Sequence, residues 1–244
     1  MARYVFRTGN AFAVGHSMGL NGPIVLESDT LLRSIAFAPD PELPPVDSPN
    51  GRFEFLQVVG ITEDEEKAIT RWTGSDVLAV FGDRLPLYVT DLDRPSLMGD
   101  PEIARRIDEG SARNGSHTGA VFVEKLGWEK RKRLFRKGGH VVSVGARQAP
   151  EVGLLLPLRL PFGRQLLVAG GEQRVLFQPG DRGAVAEDGE TLEVTLSPES
   201  VAMLSDLLVP RAGSYRIPGF DDLTIEVLVT EIKDQDGKVI ERIG

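Results

Sequence analysis

Short apolar blocks at 24–26 and 32–37 alternate with Gly, Pro and Asp clusters, a pattern that suits strands and loops. A Pro-rich stretch over 39–49 is a loop. Residues 53–61, FEFLQVVGI, carry apolar side chains on both alternating faces, which predicts a central strand buried on both sides. Thr62 stands three residues before Glu65, where hydroxyl and carboxylate can each satisfy an orphan amide at a helix start. A helix therefore opens at Thr62 and presents Ala68, Ile69 and Trp72 on one face, which predicts a buried indole packed on the strand 53–61. Gly74 marks its stop, and Ser75 caps a second helix showing Val77, Leu78 and Phe81 inward. Residues 85–89 return to strand. Asp100-Pro101 supplies an N-cap followed by Pro at the first helical position, so 101–109 is helical and Gly110 ends it. Residues 115–119 form a loop, and 120–123 and 140–144 form strands.

Beyond about residue 150 the texture shifts to β patterns at 154–160, 165–169, 174–177 and 191–196. Ser197-Pro198 then opens a helix bearing Val201, Met203, Leu204 and Leu207. A closing hairpin joins 223–232 to 238–243 across 234–237. The pattern gives an α+β fold of two mixed α/β domains, each a mainly antiparallel sheet with flanking helices. The first spans 1–138, a connector 139–152, and the second 153–244. No repeat of fixed period argues for a solenoid or propeller.

The chain has 244 residues, enough for one large or two small domains with a sizeable core. No apolar run approaches the ~20 residues that cross a bilayer, and the N-terminus lacks a signal-peptide pattern, so a cytoplasmic location without membrane contact is expected. With no Cys, disulfides, thiolate chemistry and Cys-based metal sites are excluded. A net charge of -8 argues against direct nucleic-acid binding. One basic stripe stands out, EKRKRLFRK over 129–137, which suits a solvated connector or a docking patch for an acidic partner.

Candidate chemistry is thin. Gly15-His16-Ser17-Met18-Gly19 matches the G-x-S-x-G nucleophile elbow, and a serine hydrolase built on Ser17 is the reading from a different class. That motif needs a preceding sheet, a following helix and a late His, whereas Asn21-Gly22-Pro23 interrupts any helix and the last His is His140. His16, His117 and His140 have no metal-ligand spacing and suit surface or loop roles. Asp91 and Asp93 share a strand face, but strand-end Asp residues cap turns and Arg94 is an adjacent counter-charge. The loop 115–119 lacks the Lys of a phosphate-binding loop. No catalytic residue, cofactor or metal is assigned, and the chain is read as a non-enzyme.

The segment 51–94, together with the first 16 residues, 100–119 and 153–167 with its continuation, resembles the suppressor of fused family in the order of its motifs. The resemblance implies a protein-binding role, in which two domains hold an extended peptide of a GLI-type transcription factor in the cleft between them, by strand addition to exposed sheet edges. It places Tyr4 in the peptide cleft and matches Gly15 to the Gly of the family's Ser-Gly-Asp-His turn. His16 stands where the animal protein carries a peptide-contacting Asp. Phe55, Leu56, Gln57, Val59, Gly60 and Trp72 match core positions. Leu156-Pro157-Leu158 and Gly163-Arg164 match second-domain strands, which makes Arg164 a further cleft candidate. The long insertion of animal members is replaced here by the basic connector, and the chain starts at a point matching the middle of the family's first domain. A compact bacterial-type member fits, with a toxin-neutralising immunity protein as the alternative role. Missing upstream strands would leave apolar edges at 4–6 and 53–61, from which self-association is expected.

Overall fold

The computed structural model describes residues 2–131, 139–234 and 236–244, and the side chains of Ala2, Tyr4 and Thr8 lie outside the description. The chain divides into two compact units, Met1–His117 and Thr118–Gly244. Among the described residues no helix is long and apolar enough to cross a membrane.

The first unit begins with a short helix, α1 (Ala2–Thr8), followed by β1 (Ser17–Gly19) and β2 (Leu32–Pro39). A hairpin of β3 (Val46–Ser48) and β4 (Gly51–Phe53) precedes β5 (Leu56–Thr62). Strands β1, β2 and β5 form an antiparallel sheet in that order. Three helices follow, α2 (Glu63–Arg71), α3 (Gly74–Gly82) and α4 (Pro101–Asn114). Their apolar faces supply Ile69, Trp72, Phe81 and Ile107 to a core shared with Val59 and Ile61 of the sheet.

Local signals account for most helix starts. The Thr62–Glu65 capping box forms, with the Glu65 carboxylate accepting from the Thr62 amide at 3.0 Å. Asp100 caps α4 by accepting from the Glu102 amide at 2.9 Å. Four expectations need correction. The run 53–61 is divided, since β4 ends at Phe53, and only its later part is fully buried in β5. Thr73, not Ser75, is the N-cap of α3, and Gly74 is its first residue. Residues 85–89 form a 3-10 turn over Pro86–Tyr88, with Leu87 at φ 54° and Tyr88 at φ 53°, because Pro86 starts a turn and the Tyr88 hydroxyl is held by donation to the Leu78 carbonyl. Gly110 lies inside α4, which runs on to Gly115, and a Cβ there would stand 2.4 Å from the Trp72 ring. That glycine makes room for an indole.

The second unit opens with β6 (Ala120–Phe122), β7 (Leu126–Arg131) and β8 (Gly139–Gly145), then α5 (Ala149–Arg159). Next come β9 (Leu166–Gly170), β10 (Gln173–Pro179), β11 (Ala184–Asp188) and β12 (Thr191–Leu196). Helix α6 (Pro198–Leu207) precedes β13 (Gly213–Ile217), β14 (Phe220–Leu228), β15 (Thr230–Lys233) and β16 (Val239–Ile243). One mixed sheet has the order β11-β12-β10-β9-β6 and another β13-β14-β8-β7. The pairs β10–β12, β8–β14 and β6–β9 are parallel, and the remaining pairs in these two sheets are antiparallel. Val168, Val175 and Val194 of the first sheet and Val142, Ile225 and Val227 of the second share one core with Leu155, Leu156 and Leu204 of the two helices. The architecture of both units is α+β with antiparallel and mixed sheets.

Residues 154–160, expected as β, are helical, 154–159 in α5 and Leu160 in the 3-10 turn that follows, and 139–152, expected as connector, hold β8 and the first turn of α5. An apolar run of this length is ambiguous between a buried strand and a buried helix, and here Pro150 at the helix start decides. Pro157 has no amide for the Gly153 carbonyl, and the Ser205 hydroxyl of α6 donates to that carbonyl instead, at 2.7 Å. The final hairpin is also shorter than expected. β14 lies between β13 and β8 in the four-stranded sheet, and only β15 and β16 pair across the turn at Asp234.

Candidate functional site

The turn that carries His16 is built by two glycines. Gly15 adopts φ 83°, a conformation that glycine takes without a Cβ clash, and its amide donates to the Phe37 carbonyl. An added Cβ on Gly74 would stand 1.9 Å from the Gly15 carbonyl oxygen, and one on Gly15 would stand 2.8 Å from the Ser75 amide nitrogen. The turn is therefore locked against the start of α3 by backbone alone. Phe12 stacks on Phe37 with centroids 4.4 Å apart and fixes the approach to the turn. We expect Gly74→Ala to cost about 1–3 kcal/mol through overpacking. Thermal melting and amide exchange over 13–16 check this, with faster exchange in the variant.

After the turn, β1 pairs with β2 through Ser17–Ala36, Met18–Ile35 and Gly19–Ser34. Its other side pairs with no strand among the described residues, so β1 is a sheet edge. Ser17 thus lies in an edge strand that follows a turn, whereas a nucleophile elbow requires a strand, a turn and then a helix. His16 is exposed, and its Nδ1 accepts from the Ala13 amide at 3.3 Å. In that tautomer the proton sits on Nε2, so the ring offers a donor at the position where the family resemblance implies an Asp acceptor.

Tyr4 falls within α1, and its side chain lies outside the described residues. The segment 4–6 is helical, a correction to the strand edge expected there. The outer side of β5 is also occupied at Gly60, whose amide donates to Thr90 Oγ1 at 2.9 Å and whose carbonyl accepts from Arg94 at 2.8 Å.

Arg164 belongs to the second unit and follows Gly163, which turns the chain at φ 71°. Its amide donates to the Arg159 carbonyl, and its guanidinium carbon stands 5.8 Å from the Phe162 ring centroid. Arg159 is buried, with Nε donating to the Gln165 carbonyl at 2.8 Å. Burial first, and then the like charge of Arg164, lower the Arg159 pKa from its ordinary value, though an arginine keeps its proton. Arg159 had no sequence signal.

The remaining candidates have structural roles. Asp91 accepts from the Asp93 amide in a turn. Arg94 turns away from both and forms a buried, bidentate pair with Glu65, with both contacts at 2.6 Å. His140 is not a surface or loop residue, being buried on β8 with Nε2 2.8 Å from a Glu187 carboxylate oxygen. Hydrogen bonds from His140 and then Lys130 hold the Glu187 carboxyl below its ordinary pKa. Of the basic run, Lys130 pairs with Glu187 and Arg131 with Glu129 and Glu226, while 132–137 lie outside the described residues. No cluster of side chains able to hold a metal occurs among the described residues.

The fold therefore belongs to the α+β class, as two units of sheet and helix. Residues 1–95 match the family described as suppressor of fused protein (SUFU). The suppressor of fused homologs of Homo sapiens and Mus musculus are each 29% identical over 139 residues, a match covering 54% of this chain and 28% of each relative. The chain thus aligns with just over a quarter of the length of these relatives. The crystal structure of Drosophila suppressor of fused has the same fold, with TM-score 0.77 at 17% identity over 93% of this chain and 68% of that one. Over residues 1–95 the chain is thus similar to the suppressor of fused family, and it shares the fold of the Drosophila protein.

Proposed function

We propose that this protein is a non-enzymatic binding module that takes up an extended segment of another protein along the free edge of β1, beside His16. Similarity to the suppressor of fused family over residues 1–95 supports a binding role, and the observation that carries the mode is the edge strand held in register by the Gly15–Gly74 lock. An unpaired edge offers backbone donors and acceptors for strand addition, and a rigid turn lowers the ordering cost of forming that pair. The partner presents an acceptor to His16 Nε2, in contrast to the donor that an Asp would select. Tyr4 and Arg164 are further contact candidates from the family resemblance.

The test is hydrogen exchange with a GLI-type peptide, and with partners captured from the native host. Protection of the Ser17 and Gly19 amides on binding is expected, since these face the free edge while the Met18 amide faces β2. Tight binding with those amides unprotected would overturn strand addition at β1. Robust p-nitrophenyl ester turnover abolished by Ser17→Ala would overturn the non-enzymatic reading.

A further inference from the structure

A second surface lies in the first unit on the far side of its sheet order from β1, next to β5. Two irregular segments, 21–31 and 85–94, pack side by side there. Thr30 Oγ1 donates to the Leu92 carbonyl at 2.6 Å. Ile24 and Thr90 both crowd Gly60, where an added Cβ would stand 2.9 and 2.8 Å from their side chains. Apolar side chains of this size normally turn inward, yet these segments expose Val25, Leu26, Leu31, Leu87, Val89 and Leu92, with Leu26 at 86% and Val89 at 62%.

Two further observations fall on the same segments. Among the described residues the non-glycine positions with positive φ are Asn21, Glu27, Leu87 and Tyr88, all within them. Backbone held in such conformations concentrates at ligand clamps and switch regions. The charge is one-sided as well. The segments carry Glu27, Asp29, Asp91 and Asp93, all exposed and in no ion pair among the described residues, while their one cation, Arg94, is buried and neutralised by Glu65.

We infer that this face docks a basic, leucine-type segment of a partner protein, independently of the β1 edge. Apolar side chains at the centre with charge at the rim are the anatomy of a protein interface, and the acidic rim selects a cationic partner. The same rim disfavours a second copy of this chain or an anionic lipid surface, each of which would meet it with like charge.

Three short labelled peptides test the idea on the whole protein by fluorescence anisotropy: alternating Lys-Leu, Lys-Ser and Glu-Leu. The Lys-Leu peptide is expected to bind, with the other two at least about tenfold weaker. The double variant Asp29→Lys/Asp93→Lys changes exposed carboxylates and should lower Lys-Leu affinity by about tenfold or more, with an unchanged melting temperature. Leu26→Ser should weaken binding without altering its salt dependence. His16→Ala should leave Lys-Leu binding intact, which separates this surface from the β1 edge. Absence of Lys-Leu binding, binding insensitive to both surface variants, or loss of binding in His16→Ala would each overturn the inference, whatever becomes of strand addition at β1.

Discussion

Arg94→Ala is expected to destabilise the first unit by about 3–5 kcal/mol, the cost of leaving a buried partner charge uncompensated. Glu65 is fully buried, and both of its oxygens are engaged by the Arg94 guanidinium. Those oxygens also accept from the Thr62 and Leu97 amides, at 3.0 and 2.7 Å. Arg94 itself donates to the Gly60 and Pro95 carbonyls. One ion pair thus joins β5, the start of α2 and the segment before α4. A hydrophobic replacement of both residues, Glu65→Leu with Arg94→Met, should recover only part of the loss. It removes the unpaired charge but leaves the Thr62 and Leu97 amides and the Gly60 carbonyl without these partners. Urea denaturation of the single and double variants measures this, and a double variant as stable as wild type would show that the backbone contacts contribute nothing.

Trp72→Ala should cost a similar amount, about 3–5 kcal/mol for removal of a large buried ring. The indole is 7% exposed at the end of α2 and fills the space that Gly110 leaves on α4. Its Nε1 is buried without a hydrogen-bond partner among the described residues, so Trp72→Phe loses volume but also removes a polar group that gains nothing from them. It should therefore cost much less than the alanine variant. Gly110→Ala is no rescue in the wild-type background, where the added methyl meets the ring. In the Trp72→Ala background the same change should be tolerated, and thermal melting of the double variant decides.

What could be read from the chain beforehand was mostly local. Thr62 with Glu65, Asp100 with Pro101 and Ser197 with Pro198 place helix starts because a cap is formed by neighbours within one turn. Gly110 misled for the opposite reason. Its purpose is set by Trp72 on another helix, and a glycine that clears space looks in sequence like one that ends a helix. Residues 154–160 misled because the same apolar composition serves a helix that buries Leu155, Leu156 and Leu160 while leaving Leu154 exposed. At the site, Gly15 was visible as a turn residue through its family motif. Its locking partner Gly74 was not, since nothing near Gly74 in the chain distinguishes a tertiary contact from a helix stop. Arg94 was assigned to its sequence neighbours Asp91 and Asp93, when its charge is matched by a carboxylate 29 positions away.

Pro157 within α5 and the hydroxyl of Ser205 also constrain which sequence changes this chain can accept together. While position 157 is proline, the Gly153 carbonyl depends on a donor from α6, and Ser205→Ala leaves it stranded. Once position 157 regains an amide, that dependence disappears and position 205 is free to vary. The two sites form a matched pair in which the order of replacement matters: restoring the amide first opens a neutral route, and losing the hydroxyl first crosses an unstable intermediate.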